Sequence, residues 1–343
     1  MSATAYTGSL RQFTTQFIAM LVGLVAAVVI SGIDYKTMQK YWFLVAFVGV
    51  IPVLLTFFIG FAPEGTDDKA WLLLPGGMSF QPSELLKICF IITFSAHLSK
   101  VQKTVNKLKT LIPLLLHGLF PVALIHFQGD DGTALVFAVM FACMLFSAGL
   151  KVRYIVIALS AVVVALPFAF FFLFSEDQKA RILYLFDLES NLQGIGFQQW
   201  MGRIALANGG IFGQGLFKGE LTQAQGVPKG YNDFIFVSIG EELGLFGCLA
   251  VLILITAICL RCVRIARLSP DESGMYIAVG IFAMLFAQSV INIGMCVSLL
   301  PVIGVTLPFF SAGGSSLLCL MFGIGVVLSV YKQRNSGTIY LHS

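Results

Sequence analysis

The stretch Tyr231-Asn-Asp-Phe-Ile-Phe-Val-Ser-Ile-Gly-Glu-Glu-Leu-Gly-Leu-Phe-Gly-Cys-Leu-Ala-Val-Leu-Ile-Leu-Ile-Thr-Ala-Ile-Cys-Leu260 decides what kind of protein this is. From 234 to 260 it is almost wholly apolar, long enough as a helix to cross a hydrocarbon core of roughly 30 Å. A carboxylate, Asp233, opens it, and two more, Glu241 and Glu242, follow eight and nine residues later. On a helix those two lie about 12–14 Å deeper along the axis. Adjacent carboxylates facing lipid at that depth are costly, so they imply a polar interior, protonation or basic partners. Asp233 alone has the simpler reading of an N-cap.

Eight more apolar segments lie near 13–33, 41–61, 83–98, 111–127, 133–150, 154–174, 275–297 and 313–331. Lipid offers no partner to an unpaired backbone group, so each is expected to be a continuous α-helix. The whole composition agrees. Of 343 residues, 58% are hydrophobic and 11% charged, against about 25% charged in soluble domains, and the mean hydropathy is +0.91. A soluble enzyme, a disordered chain and a nucleic-acid binder are excluded. What remains is an all-α polytopic membrane protein, one domain over 1–343 with nine predicted spans. The seven cysteines sit in or at the ends of apolar runs and read as buried thiols, and neither they nor the scattered His97, His117 and His126 have metal spacing.

Basic residues orient the spans. Thirteen of the 21 lysines and arginines fall in one set of alternate loops, among them Lys100, Lys103, Lys107, Lys109, Arg261, Arg264 and Arg267. That side is expected to be cytoplasmic, with the C-terminus inside and the N-terminus outside. The largest extracytoplasmic segment is then the loop at about 175–232. Within it, apolar residues at 197, 200, 201, 204 and 205 have helical spacing, which suggests an amphipathic helix on the outer leaflet. Glycines 209, 210, 213, 215 and 219 suggest a turn-rich stretch after it.

Ionisable groups in or beside spans mark where function is sought. Glu84 and Lys87, three apart on one helix face, read either as an ion pair or as the wall of a polar cavity. Gln128, Asp130 and Asp131 form a turn between two spans, where a carboxylate could also cap the next helix. Gln288 and Asn292 place two amides on one face, as interhelical hydrogen bonds require. Leu300-Pro-Val-Ile-Gly-Val-Thr-Leu-Pro-Phe-Phe-Ser-Ala-Gly-Gly-Ser-Ser316 has two prolines and a small-residue run, which suits a broken or re-entrant segment against protein or water.

Four of these blocks, in order, resemble the SEDS family of RodA, FtsW and SpoVE. Phe80-Gln-Pro-Ser-Glu-Leu-Leu-Lys87 is similar to its QPSE segment, and Gln128-Gly-Asp-Asp-Gly-Thr133 to its QPDLGT turn. Asn232-Asp-Phe-Ile-Phe236 with Gly240-Glu-Glu-Leu-Gly244 resembles its DFIF…GEELG block. Asn292-Ile-Gly-Met295 through Ser316 resembles its NIGM…SYGGSS block. The resemblance implies a ten-helix fold of the bacterial cell membrane that polymerises glycan strands from lipid II beside a class B penicillin-binding protein, a transpeptidase, in elongation, division or sporulation. It puts the essential carboxylate at Asp233. Substrate binding is expected of Glu84, Lys87, Gln128, Asp130, Ser311 and Ser315, and phosphate contacts are sought at Lys87, Arg181, Arg203, Lys218 and Lys229. The family's first helix is expected to have no counterpart, since Ser2-Ala-Thr4 resembles the stretch just after it, which agrees with the expected outside N-terminus. This chain departs from the pattern at Gly129 and Asp131, at Ala312, and in Val227-Pro-Lys-Gly-Tyr231, where Lys229 stands in place of a glutamate.

The expected chemistry is glycosyl transfer, with Asp233 as the base that takes the proton of the acceptor hydroxyl. A divalent cation, Mg or Mn, could assist the departing pyrophosphate, although no dedicated ligand cluster or other cofactor motif is present. The competing expectation is a flippase for lipid-linked precursors, since intramembrane carboxylates and a broken helix also suit alternating access. A non-catalytic scaffold is a third.

Overall fold

The structure is a computed structural model and describes residues 11–62, 68–74, 78–172, 174–186 and 196–334. The Ser2–Thr4 start and residues 187–195 of the expected outer loop lie outside these. The helices are α1 (Arg11–Gly32), α2 (Tyr35–Lys40), α3 (Trp42–Ile59), α4 (Pro82–Val101), α5 (Leu108–His126), α6 (Asp131–Ser147), α7 (Val152–Phe172), α8 (Glu176–Leu183), α9 (Phe197–Gly209), α10 (Glu220–Gln223), α11 (Ile235–Arg267), α12 (Glu272–Cys296) and α13 (Gly314–Gln333). A short antiparallel hairpin, β1 (Leu72–Leu74) and β2 (Met78–Phe80), precedes α4 and pairs Leu72 with Phe80.

All nine apolar segments coincide with helices. Among the described residues, α1, α3, α5, α7, α11, α12 and α13 are long and apolar enough to cross a membrane. The other two are α6, a shorter apolar helix, and α4, whose first turns carry Glu84 and Lys87. Large apolar side chains such as Phe17, Val25, Phe47, Phe58 and Leu116 are exposed on α1, α3 and α5, as a lipid-facing surface requires.

The fold divides into two compact units: 1–14, 151–256 and 288–312 form the first, and 15–150, 257–287 and 313–343 the second. In the second, α4 is the central helix. Ile91, Phe94 and Leu98 are fully buried, and the rings of Phe90 and Phe94 stack with centroids 5.1 Å apart. Small residues bring the neighbouring helices close: a Cβ on Gly49 of α3 would lie 2.7 Å from Cys89 Cβ, and one on Gly280 of α12 2.8 Å from Ile91 Cγ2. Close approach through small residues is how helices pack where lipid supplies no hydrophobic drive.

In the first unit, the 234–260 segment is not the continuous helix expected. Gly244 (φ 66°, ψ −160°) breaks α11. The loop after α9 enters the break and supplies the missing backbone partners. Gln214 N–H donates to the Glu241 carbonyl (2.9 Å), Gly215 N–H to that of Glu242 (2.9 Å), and Leu245 N–H to that of Gly210 (3.0 Å). The fit needs glycine, since a Cβ on Gly213 (φ 79°) would come 2.2 Å from the Glu242 carbonyl oxygen. The glycines read as turn-rich in the sequence therefore make close packing possible.

Helix α9 forms where the amphipathic pattern placed it. The face it packs on protein is Gln199, Gly202, Ala205 and Gly209, while Phe197, Trp200, Met201 and Ile204 are exposed or half-buried. Gly202 lies against Phe234 and Val237 of the α11 approach, and a Cβ on Gly209 would strike the Gly240 carbonyl at 2.0 Å.

Candidate functional site

Asp233 sits at the end of a turn held mainly through the backbone. Asn232 N–H and Phe234 N–H both donate to the Lys229 carbonyl, at 2.9 and 3.2 Å. The amide of Asn292, fully buried on α12, donates one hydrogen to the Asp233 carbonyl (2.7 Å) and the other to the Val305 carbonyl (2.7 Å). Cys296 Sγ adds a weak donor to the same Asp233 carbonyl at 3.5 Å. From the broken segment, Ser311 Oγ donates to the Asn232 carbonyl (2.7 Å) and accepts from Leu307 N–H (2.7 Å), and Ala312 N–H donates to the Tyr231 carbonyl (2.9 Å). These bonds fix the turn, and the side chain of Asp233 is half-buried. That carboxylate lies near Gly304 (φ 67°), where a Cβ would be 4.0 Å from Oδ2. Ser311, expected to touch substrate, here anchors the turn.

One residue the sequence reading passed over completes this frame. Gln199 of α9 is buried and donates through Nε2 to the carbonyls of Met295 (3.1 Å) and Leu300 (2.8 Å), so it pins the start of the broken segment. Asn292 was noticed for interhelical bonding, but its bonds join two irregular segments. A polar residue among small ones on α9 was the available signal for Gln199.

Glu241 and Glu242 are 0% and 3% exposed. Glu241 accepts from the backbone N–H of Leu221 (2.9 Å) and Thr222 (2.7 Å), and Glu242 accepts from Gln223 Nε2 (2.8 Å). These three donors are neutral and come from residues 221–223, so the pair clamps that segment to α11.

The second unit holds its own polar cluster. Helix α4 starts at Gln81 with Pro82 in its first position, where a missing N–H costs nothing. That start sets Glu84 and Lys87 one turn apart, buried at 4% and 1% exposure, with Lys87 Nζ 2.8 Å from Glu84 Oε1. Ser316 Oγ, rather than that of Ser315, reaches the other Glu84 oxygen at 3.3 Å. Asp130 caps α6 by accepting from Thr133 N–H (2.9 Å) and accepts from Gln81 Nε2 (2.9 Å). Burial pushes its carboxyl up to about 6, and nearby Asp68 adds to the rise. Gln128 Nε2 donates to Thr56 Oγ1. Asp131 pairs instead with His126, outside this cluster, at 2.5 Å.

Of the basic residues sought as phosphate contacts, Lys87 is committed to Glu84. Arg181 donates to the Val302 carbonyl at 3.0 Å, next to the Asp233 frame. Arg203 and Lys218 are exposed, and Lys229 is half-buried in the turn that carries Asp233.

The family model described as "Cell cycle protein", for FtsW, RodA and SpoVE, matches residues 1–336. The probable peptidoglycan glycosyltransferase FtsW of Geobacter metallireducens is 35% identical over 325 residues, covering 94% of this chain and 85% of that protein. The peptidoglycan glycosyltransferase MrdB of Escherichia coli K12 is 34% identical over 316 residues, covering 91% and 84%. Among solved structures, one titled "Structural coordination of polymerization and crosslinking by a peptidoglycan synthase complex" superposes with a TM-score of 0.82 at 25% identity, covering 97% of this chain and 93% of the other. The rod shape determining protein RodA of Thermus thermophilus shares the fold, with a TM-score of 0.70 at 23% identity and coverage of 97% and 91%.

Proposed function

Because this chain belongs to the FtsW, RodA and SpoVE family of cell cycle proteins, we propose that it is a peptidoglycan glycosyltransferase that polymerises lipid II into glycan strands. Asp233 is the base. It takes the proton of the acceptor sugar hydroxyl as that oxygen bonds to the anomeric carbon of the donor, and the bond from that carbon to the lipid pyrophosphate breaks. The observation that carries this role is the framing of Asp233: four neighbours hold its turn by the backbone, and the carboxylate is left half-buried beside the broken segment. Preorganisation of that kind fixes where a proton acceptor stands.

The polar cluster of the second unit (Glu84, Lys87, Gln128 and Asp130, with Ser315 and Ser316) is assigned to substrate binding, and the chain to one membrane domain with its C-terminus in the cytoplasm. A class B penicillin-binding protein is the proposed partner. Its support is the fold match to a structure whose title describes a peptidoglycan synthase complex. A divalent cation would assist departure of the pyrophosphate. Among the described residues no three His, Cys, Asp or Glu side chains converge to hold one, so no step is routed through a metal.

The test is polymerisation of labelled lipid II by the purified chain with a partner synthase. Glycan strands that vanish in Asp233→Asn support the mechanism, and strands made at the normal rate by that variant sink the base. Lipid II crossing vesicles with no polymer formed would overturn the enzyme in favour of a flippase.

A further inference from the structure

The turn that ends in Asp233 also walls a cavity of about 200 Å³, lined by Thr222, Gln225, Lys229, Tyr231 and Ser238 among others. That is room for roughly six or seven waters at about 30 Å³ each, enough for a compact polar group. Thr222 is 6% exposed, and its buried hydroxyl has no hydrogen-bond partner. A buried hydroxyl left unpartnered is uncommon and calls for a ligand or another explanation. Two non-glycine residues of the wall, Gln225 (φ 53°) and Lys229 (φ 55°), take left-handed backbone conformations, which cost of order 1 kcal/mol each and persist where the surroundings enforce them.

The wall's chemistry favours an anion. Lys229 is half-buried and, among the described residues, has no carboxylate partner. Thr222, Gln225 and Tyr231 add polar hydrogens. The buried carboxylate of Glu241 accepts from the N–H groups of Leu221 and Thr222, and Ser238 Oγ donates its hydrogen to the Gly230 carbonyl (2.9 Å). We propose that this cavity is a phosphate-binding subsite, with Lys229 as its cation and the Thr222 hydroxyl as its buried donor. The Lys229 carbonyl accepts from both Asn232 and Phe234, so a phosphate held here sits on the same rigid turn as Asp233. The subsite would grip the pyrophosphate of a lipid-linked substrate, and that identity rests on the glycosyltransferase reading. The phosphate chemistry does not.

The test uses the full chain in phosphatidylcholine nanodiscs, titrated with inorganic pyrophosphate by calorimetry. The wild type is expected to bind. Lys229→Gln should weaken binding about tenfold, the scale of one charge-assisted hydrogen bond, Thr222→Val should weaken it severalfold, and Lys229→Arg should retain it, all with unchanged unfolding temperature. No binding by the wild type, or equal affinities throughout, overturns the subsite. Repeating the titration with phosphatidylglycerol separates the sources: competition assigns the site to a lipid headgroup, and its absence to the substrate's pyrophosphate. Polymerisation by the wild type with an unaltered KM in Lys229→Gln sinks the subsite and leaves the enzyme standing. Pyrophosphate binding that Lys229→Gln abolishes, in a chain that makes no polymer, does the reverse.

Discussion

Asp233 and the Glu241–Glu242 pair stand within ten residues of each other and have opposite fates. The pair lies deeper in an apolar run and looks the more anomalous. Yet Glu241 is wholly buried and occupied by two backbone N–H groups, and Glu242 by an amide. Asp233 is half-buried, and Asn292 and Cys296 hold it by its backbone carbonyl. A carboxylate's depth in a span therefore says little about chemistry. Fixed donors can offset its desolvation and turn it into a clamp, whereas a proton acceptor has to stay within reach of substrate.

The contrast can be broken or sharpened by substitution. Asp233→Asn is expected to lower lipid II polymerisation by up to about 10⁴-fold with little change in the unfolding midpoint, because the turn is held through main chain. A large loss of stability instead would erase the distinction. Lys87→Met leaves Glu84 buried and unpaired and should destabilise by about 3–5 kcal/mol, read by unfolding in detergent. Adding Glu84→Gln should recover most of that, and failure to do so would show that Lys87 acts other than as a counter-charge. Glu241→Leu strands two N–H groups and should cost about 3 kcal/mol, together with faster amide exchange at 219–223, while Glu241→Gln should cost less.

The smallest effect concerns Asp130, whose carboxyl is raised from 3.8 to about 6 chiefly by burial. A group raised in the folded state contributes its stability below the unfolded value and loses it as pH rises through the folded one. Stability should thus fall between about pH 4 and 6, and Asp130→Asn, still a competent N-cap, should flatten that slope. An unchanged slope would place the titration elsewhere.

Much of this was legible in the residues. Nine apolar segments coincide with nine helices, the Glu84–Lys87 spacing is an ion pair, and the irregular stretch before α13 lies where two prolines and a small-residue run put it. The break at Gly244 was missed because nothing local requires it. The helix yields there to a loop some thirty residues earlier, whose N–H groups replace its own. Gln199, Ser316 and the anchoring role of Ser311 were missed for the same reason, since their partners lie between about 80 and 230 residues away.

Hydropathy, charge placement and motif order belong to neighbouring residues, so the chain alone was enough for the helical membrane class, the expected orientation and the choice of Asp233. Which carboxylates are clamps, which serine touches Glu84 and where α11 breaks were settled only when separate segments met. A buried polar group is defined by the donor that reaches it, and in this protein that donor usually comes from another part of the chain.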